Sequence, residues 1–110
     1  MSKISKYISK FSSQEARKLF RKAKRVLRHP GLDVLCAPAT LDFGRILVVT
    51  AKKVGSAPKR NLIRRRIKSI FYEQELYKKQ VDIIVIIKKE GINLDFKQLK
   101  DILSGVFASL

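Results

Sequence analysis

Two short runs rich in β-branched residues constrain the fold of this chain more than any other feature. Residues 45–51 read RILVVTA and residues 81–87 read VDIIVII, so each predicts a strand. The first run is almost entirely apolar, which is typical of a central strand covered on both faces. A third apolar run, at residues 32–37, predicts another strand, and residues 38–44 read as a turn region with room for one more short strand.

Three helices are expected around these strands. Ser12 and Glu15 have the spacing of a capping box, and the apolar stripe after them predicts a helix over 12–28, before a His-Pro-Gly breaker. A second helix is expected over 58–76, with a proline in its first turn, where the missing N–H costs nothing. The apolar spacing of 95–107 predicts a last helix.

The order of these elements predicts an α+β fold, a small two-layer sandwich with three helices on a three- to four-stranded sheet. We expect one domain over residues 1–110, with residues 1–11 as a flexible basic arm. Hydrophobic residues make up 45% of the chain, which is too many for intrinsic disorder. No stretch approaches 18 apolar residues, so we expect no membrane-spanning segment. Because the apolar residues beside the charges are committed to a core, we expect no membrane partner, and because the N-terminus lacks a signal-peptide apolar region, we expect a cytoplasmic location.

The positive charge of the chain is large and unevenly placed. The formal net charge is +16, and residues 1–68 hold 19 basic and 3 acidic side chains, whereas residues 69–110 hold 6 of each. A compact domain that concentrates like charges is usually neutralised by a polyanion, and Lys and Arg bind nucleic acid by displacing its condensed counterions. Nucleic acid is therefore the expected partner, and an anionic membrane surface is the rival interpretation.

The sequence offers little to catalysis or metal binding. The acids of the basic region, Glu15, Asp33 and Asp42, are widely separated, whereas metal-dependent cleavage of a phosphodiester needs clustered carboxylates. His29 is the single histidine and Cys36 the single cysteine, which is too few for an acid–base pair or a zinc site. We expect Cys36 to be a buried small apolar residue in a reducing compartment, and we predict neither a catalytic residue nor a metal site in the chain.

The second predicted helix carries the candidate binding site. At 100° per residue, its apolar side chains fall on one side and a set of polar side chains on the other, with a repeat of about 6 Å that is close to the phosphate spacing of RNA. This set, called the basic ridge below, is Arg60, Asn61, Arg64, Arg65 and Lys68. Residues 52–68 contain no acid, whereas an ordinary solvated face mixes both signs.

Residues 45–71, RILVVTAKKVGSAPKRNLIRRRIKSIF, resemble the protein subunit of bacterial ribonuclease P. That family has a strand ending in Ser/Ala-Lys-Lys, then Gly and Ala, then Arg-Asn-Arg and further basic residues on a helix. The matching positions are Lys52, Lys53, Gly55, Ala57, Arg60, Asn61, Arg64, Arg65 and Lys68. Leu62 departs from the pattern, because it stands where the triplet has its second Arg; that RNA contact is either missing or supplied by Arg66.

The resemblance implies a four-stranded sheet with three helices and a left-handed crossover through the basic helix, an exception to the usual hand. It also implies that a large RNA using Mg²⁺ is the catalyst and that the protein is an accessory subunit of this endoribonuclease. The basic ridge, Lys52 and Lys53 would bind the catalytic RNA. A cleft between the first helix and the sheet, with Phe20 and Lys24, would bind the 5′ leader of precursor tRNA. We expect a monomer in a 1:1 complex with the RNA.

The cleft departs from the family in one respect. Aromatic side chains hold single-stranded RNA there, but residues 32–37 offer none; Val34 or Cys36 stands in the expected place, which predicts weaker stacking. Taken by itself, Phe20 would be assigned to the core. The alternative function is a ribosomal-type or general RNA-binding chaperone protein, which would bind RNA without supporting leader cleavage.

Overall fold

A computed structural model describes residues 11–110 of the chain. In these residues the elements are helix α1 (Ser13–Lys22), strands β1 (Lys24–Arg28), β2 (Leu32–Pro38) and β3 (Ile46–Thr50), helix α2 (Ala57–Glu73), strand β4 (Val81–Ile87) and helix α3 (Phe96–Ala108). Short 3-10 turns at Lys52–Val54, Leu76–Lys79 and Lys89–Asn93 connect them. The predicted α+β fold, with three helices and a four-stranded sheet, is confirmed.

The sheet is mixed, with strand order β1-β2-β4-β3. β1 pairs with β2 and β2 with β4 in antiparallel fashion, whereas β3 and β4 are parallel. β3 is therefore an edge strand, and the expectation that it is central was wrong. Its apolar sequence reflects two covered faces rather than two neighbouring strands, because Ile46 and Val48 point to one apolar cluster and Leu47 and Val49 to another. The left-handed crossover from β3 through α2 to β4 stays a prediction.

The two faces of the sheet are covered by different helices. On one face, α2 and α3 form the main core with the sheet. The residues that these two helices bury are Ile63, Ile67, Ile70, Phe71, Leu99, Leu103, Val106 and Phe107. On the other face, Leu19 of α1 packs with Ala37 and Ile84 in a smaller cluster. The three predicted helices therefore lie on both faces of the sheet, and the arrangement has three layers rather than the predicted two.

The first helix is shorter than predicted, because residues 24–28 form strand β1. The capping box of Ser12 and Glu15 is present, but α1 ends at Lys22. From Lys24 onward the backbone pairs with β2, and the hairpin closes through residues 29–31. The apolar spacing up to Leu27 fits a helix and a strand equally well, and the long-range ladder of backbone hydrogen bonds decides between them. The strand that completes the four-stranded sheet is therefore β1, and residues 39–44 form no strand.

Other boundaries follow local backbone geometry. α2 ends at Glu73 rather than near residue 76, because Glu75 adopts a left-handed conformation (φ 53°) and turns the chain into the main core. Phe11 packs against the smaller cluster, so it belongs to the fold rather than to the predicted arm. Residues 1–10 lie outside the described residues. Within residues 11–110, no helix is both long and apolar enough to cross a membrane.

Candidate nucleic-acid interface

Helix α2 presents the basic ridge on the side opposite its buried residues. Asn61, Arg65 and Lys68 are exposed, whereas Arg60 and Arg64 are half-buried. The helix begins where the sequence indicates: Ser56 is the N-cap, its side chain accepts from the backbone N–H of Lys59, and a proline follows in the first turn. The ridge therefore starts at the first turn of a capped helix, next to the Lys-Lys loop.

Arg60 holds the loop that carries the two lysines. Its Nη1 donates to the carbonyl oxygens of Lys52 (3.0 Å) and Gly55 (2.8 Å). Lys52 and Lys53 are exposed in this loop. The structure thus brings the loop lysines together with the ridge, and it shows Arg60 as a positioning residue whose guanidinium is already used within the protein.

Arg64 ties the ridge to the sheet. Its Nη1 donates to Oδ1 of Asn61 (3.0 Å), and its Nη2 donates to Oγ1 of Thr50 at the end of β3. Because the amide oxygen of Asn61 accepts from Arg64, its NH2 group is the part left to donate to a partner. Thr50 was not identified from the sequence. The signal that could have identified it is its position, since it is a polar residue at the end of an apolar strand, shortly before Lys52 and Lys53.

The side chains of the remaining ridge cations are not engaged within the described part of the chain. Among residues 11–110, the side chains of Arg65 and Lys68 make no hydrogen bond or ion pair, and no salt bridge involves a cation of α2. Exposed like charges at this spacing raise the local positive potential. The arrangement suits a polyanion, and Arg65 can hold a phosphate bidentately.

The opposite face of the sheet is where the leader-binding cleft is expected. Leu19 of α1 packs on this face, and Leu35, Leu47, Val49 and Ile86 around it remain half-buried. Phe20, on α1, is 41% exposed and belongs to neither apolar cluster. Its assignment to the core is therefore wrong. Lys24, the other predicted cleft residue, is exposed at the start of β1, but it pairs with Cys36 and so lies on the face of the sheet opposite Leu35. The structure therefore does not bring Lys24 together with Phe20 in one cleft.

The β2 side of the cleft is formed by Leu35. Alternation along the strand buries Val34 completely in the main core, so Val34 cannot occupy the position of the expected aromatic residue. Cys36 is half-buried rather than buried, and burial raises the pKa of its thiol. This wall contains no aromatic residue, as the sequence predicts, but the residue at the expected aromatic position is Leu35 rather than Val34 or Cys36.

Asp33 lies on the same face of β2 as Leu35 and is neutralised there. Its carboxylate lies 2.8 Å from Nζ of Lys88 and 3.6 Å from Nη2 of Arg25. Burial by itself would raise the pKa of Asp33, but the hydrogen bond and charge of Lys88, aided by Arg25, outweigh it and lower the pKa. This acid therefore presents little net repulsion to an anionic strand in the cleft.

A charged network, missed at the sequence level, fastens α1 to the sheet. Arg45 is almost fully buried; its Nη2 lies 3.1 Å from Oε2 of Glu15, its backbone N–H donates to Oδ1 of Asp82 (2.9 Å), and its guanidinium lies 4.0 Å from the Phe11 ring centroid. Burial raises the pKa of Asp82 despite this hydrogen bond. The available signal was a charged residue within the first two positions of each apolar run, Arg45 in one and Asp82 in the other.

The described part of the chain is similar to known proteins along its whole length. The family model described as Ribonuclease P matches residues 11–110. The chain belongs to the ribonuclease P protein family. Relatives named ribonuclease P protein component include that of Petrotoga mobilis, 30% identical over 102 residues (83% of this chain, 86% of the relative), and that of Citrifermentans bemidjiense, 31% identical over 106 residues (83% and 91%).

Solved ribonuclease P proteins have the same fold. The Staphylococcus aureus protein superposes with a TM-score of 0.80 at 23% identity, over 94% of each chain. The Thermotoga maritima protein gives a TM-score of 0.78 at 23% identity, over 93% of this chain and 97% of that one. Family membership makes the chain an accessory protein component of an endoribonuclease that processes tRNA. Among residues 11–110, no group of three or more His, Cys, Asp or Glu side chains is placed to share a metal ion.

Arg60 and Arg65 of this ribonuclease P protein are expected to differ when each is replaced by Ala. Arg60→Ala removes the donor to two loop carbonyls, so we expect a loss of about 1 kcal/mol in the free energy of unfolding. Arg65→Ala removes only an exposed cation, so stability should stay within about 0.5 kcal/mol. Urea unfolding followed by circular dichroism measures both. Equal stability of the two variants would contradict the loop-holding role of Arg60.

Proposed function

We propose that this chain is the protein subunit of a ribonuclease P ribonucleoprotein that matures the 5′ ends of tRNA. It binds the catalytic RNA and the 5′ leader of precursor tRNA, and the RNA subunit with its Mg²⁺ carries out the endonucleolytic cleavage. The observation that carries the proposal is the row of cations on α2 that form no salt bridge with any acid of residues 11–110, in a chain of this family. The complex contains one protein and one RNA and acts in the cytoplasm.

The basic ridge is proposed to bind the catalytic RNA. Arg65, Lys68 and the loop lysines Lys52 and Lys53 contact phosphates, while Arg60 and Arg64 hold the loop and Asn61 in place. Each phosphate contact releases condensed counterions, so affinity falls as salt rises. A layer of fixed positive charge between two polyanions also replaces part of the Mg²⁺ that would otherwise screen their repulsion.

The cleft is proposed to bind the leader of precursor tRNA. Its half-buried floor of Leu35, Leu47, Val49 and Ile86 can contact bases of a single strand, while Phe20 stacks on one base. Because Leu35 provides apolar contact without an aromatic face, we expect this protein to hold the leader less tightly than a relative with two aromatic walls.

Cleavage of precursor tRNA tests the proposal. A bacterial ribonuclease P RNA is incubated at low Mg²⁺ with a substrate that carries a 5′ leader, with and without the protein, beside a reaction with protein alone. We expect strong stimulation by the protein and no cleavage by the protein alone. RNA binding without stimulation, also with the cognate RNA, would favour a general RNA-binding protein.

Phe20→Ala is expected to weaken the leader contact specifically. The loss of one stacked base corresponds to about 1 kcal/mol, or roughly a fivefold rise in Kd for precursor tRNA bound to the holoenzyme. Kd for mature tRNA, which lacks the leader, should not change. Leu41→Ala is a matched control, since Leu41 is 40% exposed in the loop before β3. An equal loss for both tRNAs would remove Phe20 from the leader site.

A further inference from the structure

Helix α2 has a second side, away from the basic ridge, that faces the turn after β4. Leu62, 36% exposed, lies on this side. A cavity of about 190 Å³, called the Leu62 pocket below, is lined there by Lys59, Leu62, Ile63, Arg66, Ile92 and Asn93. Pockets for drug-sized ligands measure about 300–1,000 Å³. The Leu62 pocket is therefore suited to a single ring system rather than to a whole cofactor.

The walls of the Leu62 pocket are held in place by contacts within the protein. Ile92 lies against Gly55, so closely that a Cβ added there would be 2.9 Å from Cγ1 of Ile92. The turn after β4 is fastened further by Arg66, whose Nη1 donates to the carbonyl oxygen of Leu94 (3.3 Å). Because both walls are set by packing and backbone contacts, the pocket exists before any partner binds, which lowers the entropic cost of binding.

The chemistry of the pocket combines an apolar surface with positive charge. Leu62 and Ile92 supply the apolar surface, and Asn93 adds an exposed amide. Lys59 is exposed and its ammonium group has no hydrogen-bond or ion-pair partner in the described part of the chain, and Arg66 keeps guanidinium N–H groups beyond the one that binds Leu94. These groups match a nucleotide: the base meets the apolar surface, its edge meets the amide, and the phosphate meets the cations.

A protein partner matches this pocket less well. An apolar side chain docked on Leu62 would bring Lys59 and Arg66 into a protein interface, where unpaired charges are costly. Two acids lie in the neighbouring turn, Glu90 and Asp95, and the carboxylate of Asp95 accepts from the backbone N–H of Gln98 as the N-cap of α3. Neither acid lines the pocket, and the two charged side chains that do line it, Lys59 and Arg66, are cations, so the lining favours an anionic partner.

We propose that the Leu62 pocket binds one unpaired nucleotide of the catalytic RNA. The inference rests on the proposed function and adds to it a contact with a base. Position 62 is the one where the family resemblance leads one to expect an arginine, so a cation that could contact a phosphate is replaced here by an apolar side chain that can contact a base. The two kinds of contact differ in their signature, because loss of a base contact lowers affinity at every salt concentration, whereas loss of a phosphate contact also flattens the salt dependence.

Chemical probing of a ribonuclease P RNA transcript, combined with binding titrations, tests the inference. We expect the wild-type protein to protect one unpaired nucleotide that regains its reactivity with Leu62→Ser and with Asn93→Ala. Each of these variants should raise Kd about fivefold without changing the slope of log Kd against log salt. Lys59→Ala should instead lower that slope by about one unit.

Leu41→Ser is the matched control, since it removes an equally exposed leucine away from the pocket. Thermal unfolding of each variant separates a loss of contact from a loss of fold. If Leu62→Ser and Asn93→Ala bind like wild type while ridge variants still bind weakly, the inference is wrong and the proposed function stands. If the wild-type protein neither binds the RNA nor stimulates cleavage, the proposed function itself fails. Protection confined to precursor tRNA would overturn the assignment to the catalytic RNA.

Discussion

Replacing Lys53, Arg65 and Lys68 together by Ala is expected to lower affinity for the catalytic RNA by about a hundredfold or more. All three side chains are exposed and make no hydrogen bond or ion pair within residues 11–110, so their loss should leave the fold intact. Each phosphate contact contributes about one unit to the slope of log affinity against log salt. The slope should therefore fall by about three units, and filter binding between 50 and 200 mM salt measures it.

A second triple variant controls for net charge. Lys89, Lys97 and Lys100 are also exposed, but they lie in the part of the chain where acidic and basic residues balance. Their replacement by Ala removes the same formal charge and should change the slope by much less than one unit. If both triple variants lose affinity equally, total charge rather than the placement of the ridge governs binding.

Gly91→Ala is expected to have the largest effect on stability. A Cβ at this position would lie 1.8 Å from the carbonyl oxygen of Gly31, and a backbone atom cannot move aside as the end of a side chain can. Overpacking of this kind costs about 3 kcal/mol. For a domain of about 100 residues, this corresponds to a fall in Tm of roughly 12–20 °C. The same carbonyl accepts from the backbone N–H of Lys88, so the β1–β2 turn should loosen as well.

Gly105→Ala is the control and should act in the opposite direction. Gly105 lies in α3, and a Cβ there meets no atom within 4 Å. Replacing an exposed helical glycine by Ala stabilises a protein by about 0.5–1 kcal/mol. Differential scanning calorimetry of both variants gives the comparison. A Gly91→Ala protein with the Tm of wild type would show that the backbones approach less closely than described.

Local patterns were sufficient for most of the fold. β4 has the bounds that its β-branched run predicts, and the caps at Ser12 and Ser56 fix two helix starts by side-chain hydrogen bonds between near neighbours. The errors arose where distant contacts decide. The stretch from Lys24 to Arg28 fits both a helical and an extended backbone, and its pairing with β2 selects the second. The edge position of β3 likewise depends on strand order, which a run of apolar residues does not encode.

The sequence predicted which face of α2 carries the candidate site, but not which hydrogen bonds its side chains make within the protein. Helical periodicity separates the ridge from Ile63 and Ile67, because burial of one face follows from the 3.6-residue repeat. Periodicity says nothing about which cations are already engaged. That Arg60 binds the loop carbonyls, and that Arg64 binds Thr50, depends on side-chain reach across elements. The buried Arg45 was missed for the same reason, since its partners come from three separate segments.

The placement of α1 and α2 on opposite faces of one sheet has a thermodynamic consequence. The ridge and the cleft share no side chain, so a change in one should leave the other's intrinsic affinity intact, and the free energies of a ridge variant and a Phe20 variant should add in the double variant. Under the proposed function, affinity for the leader can then be changed through α1 while affinity for the catalytic RNA, set by α2, stays constant. Because the two surfaces are independent, substitutions on one of them can accumulate without weakening binding at the other.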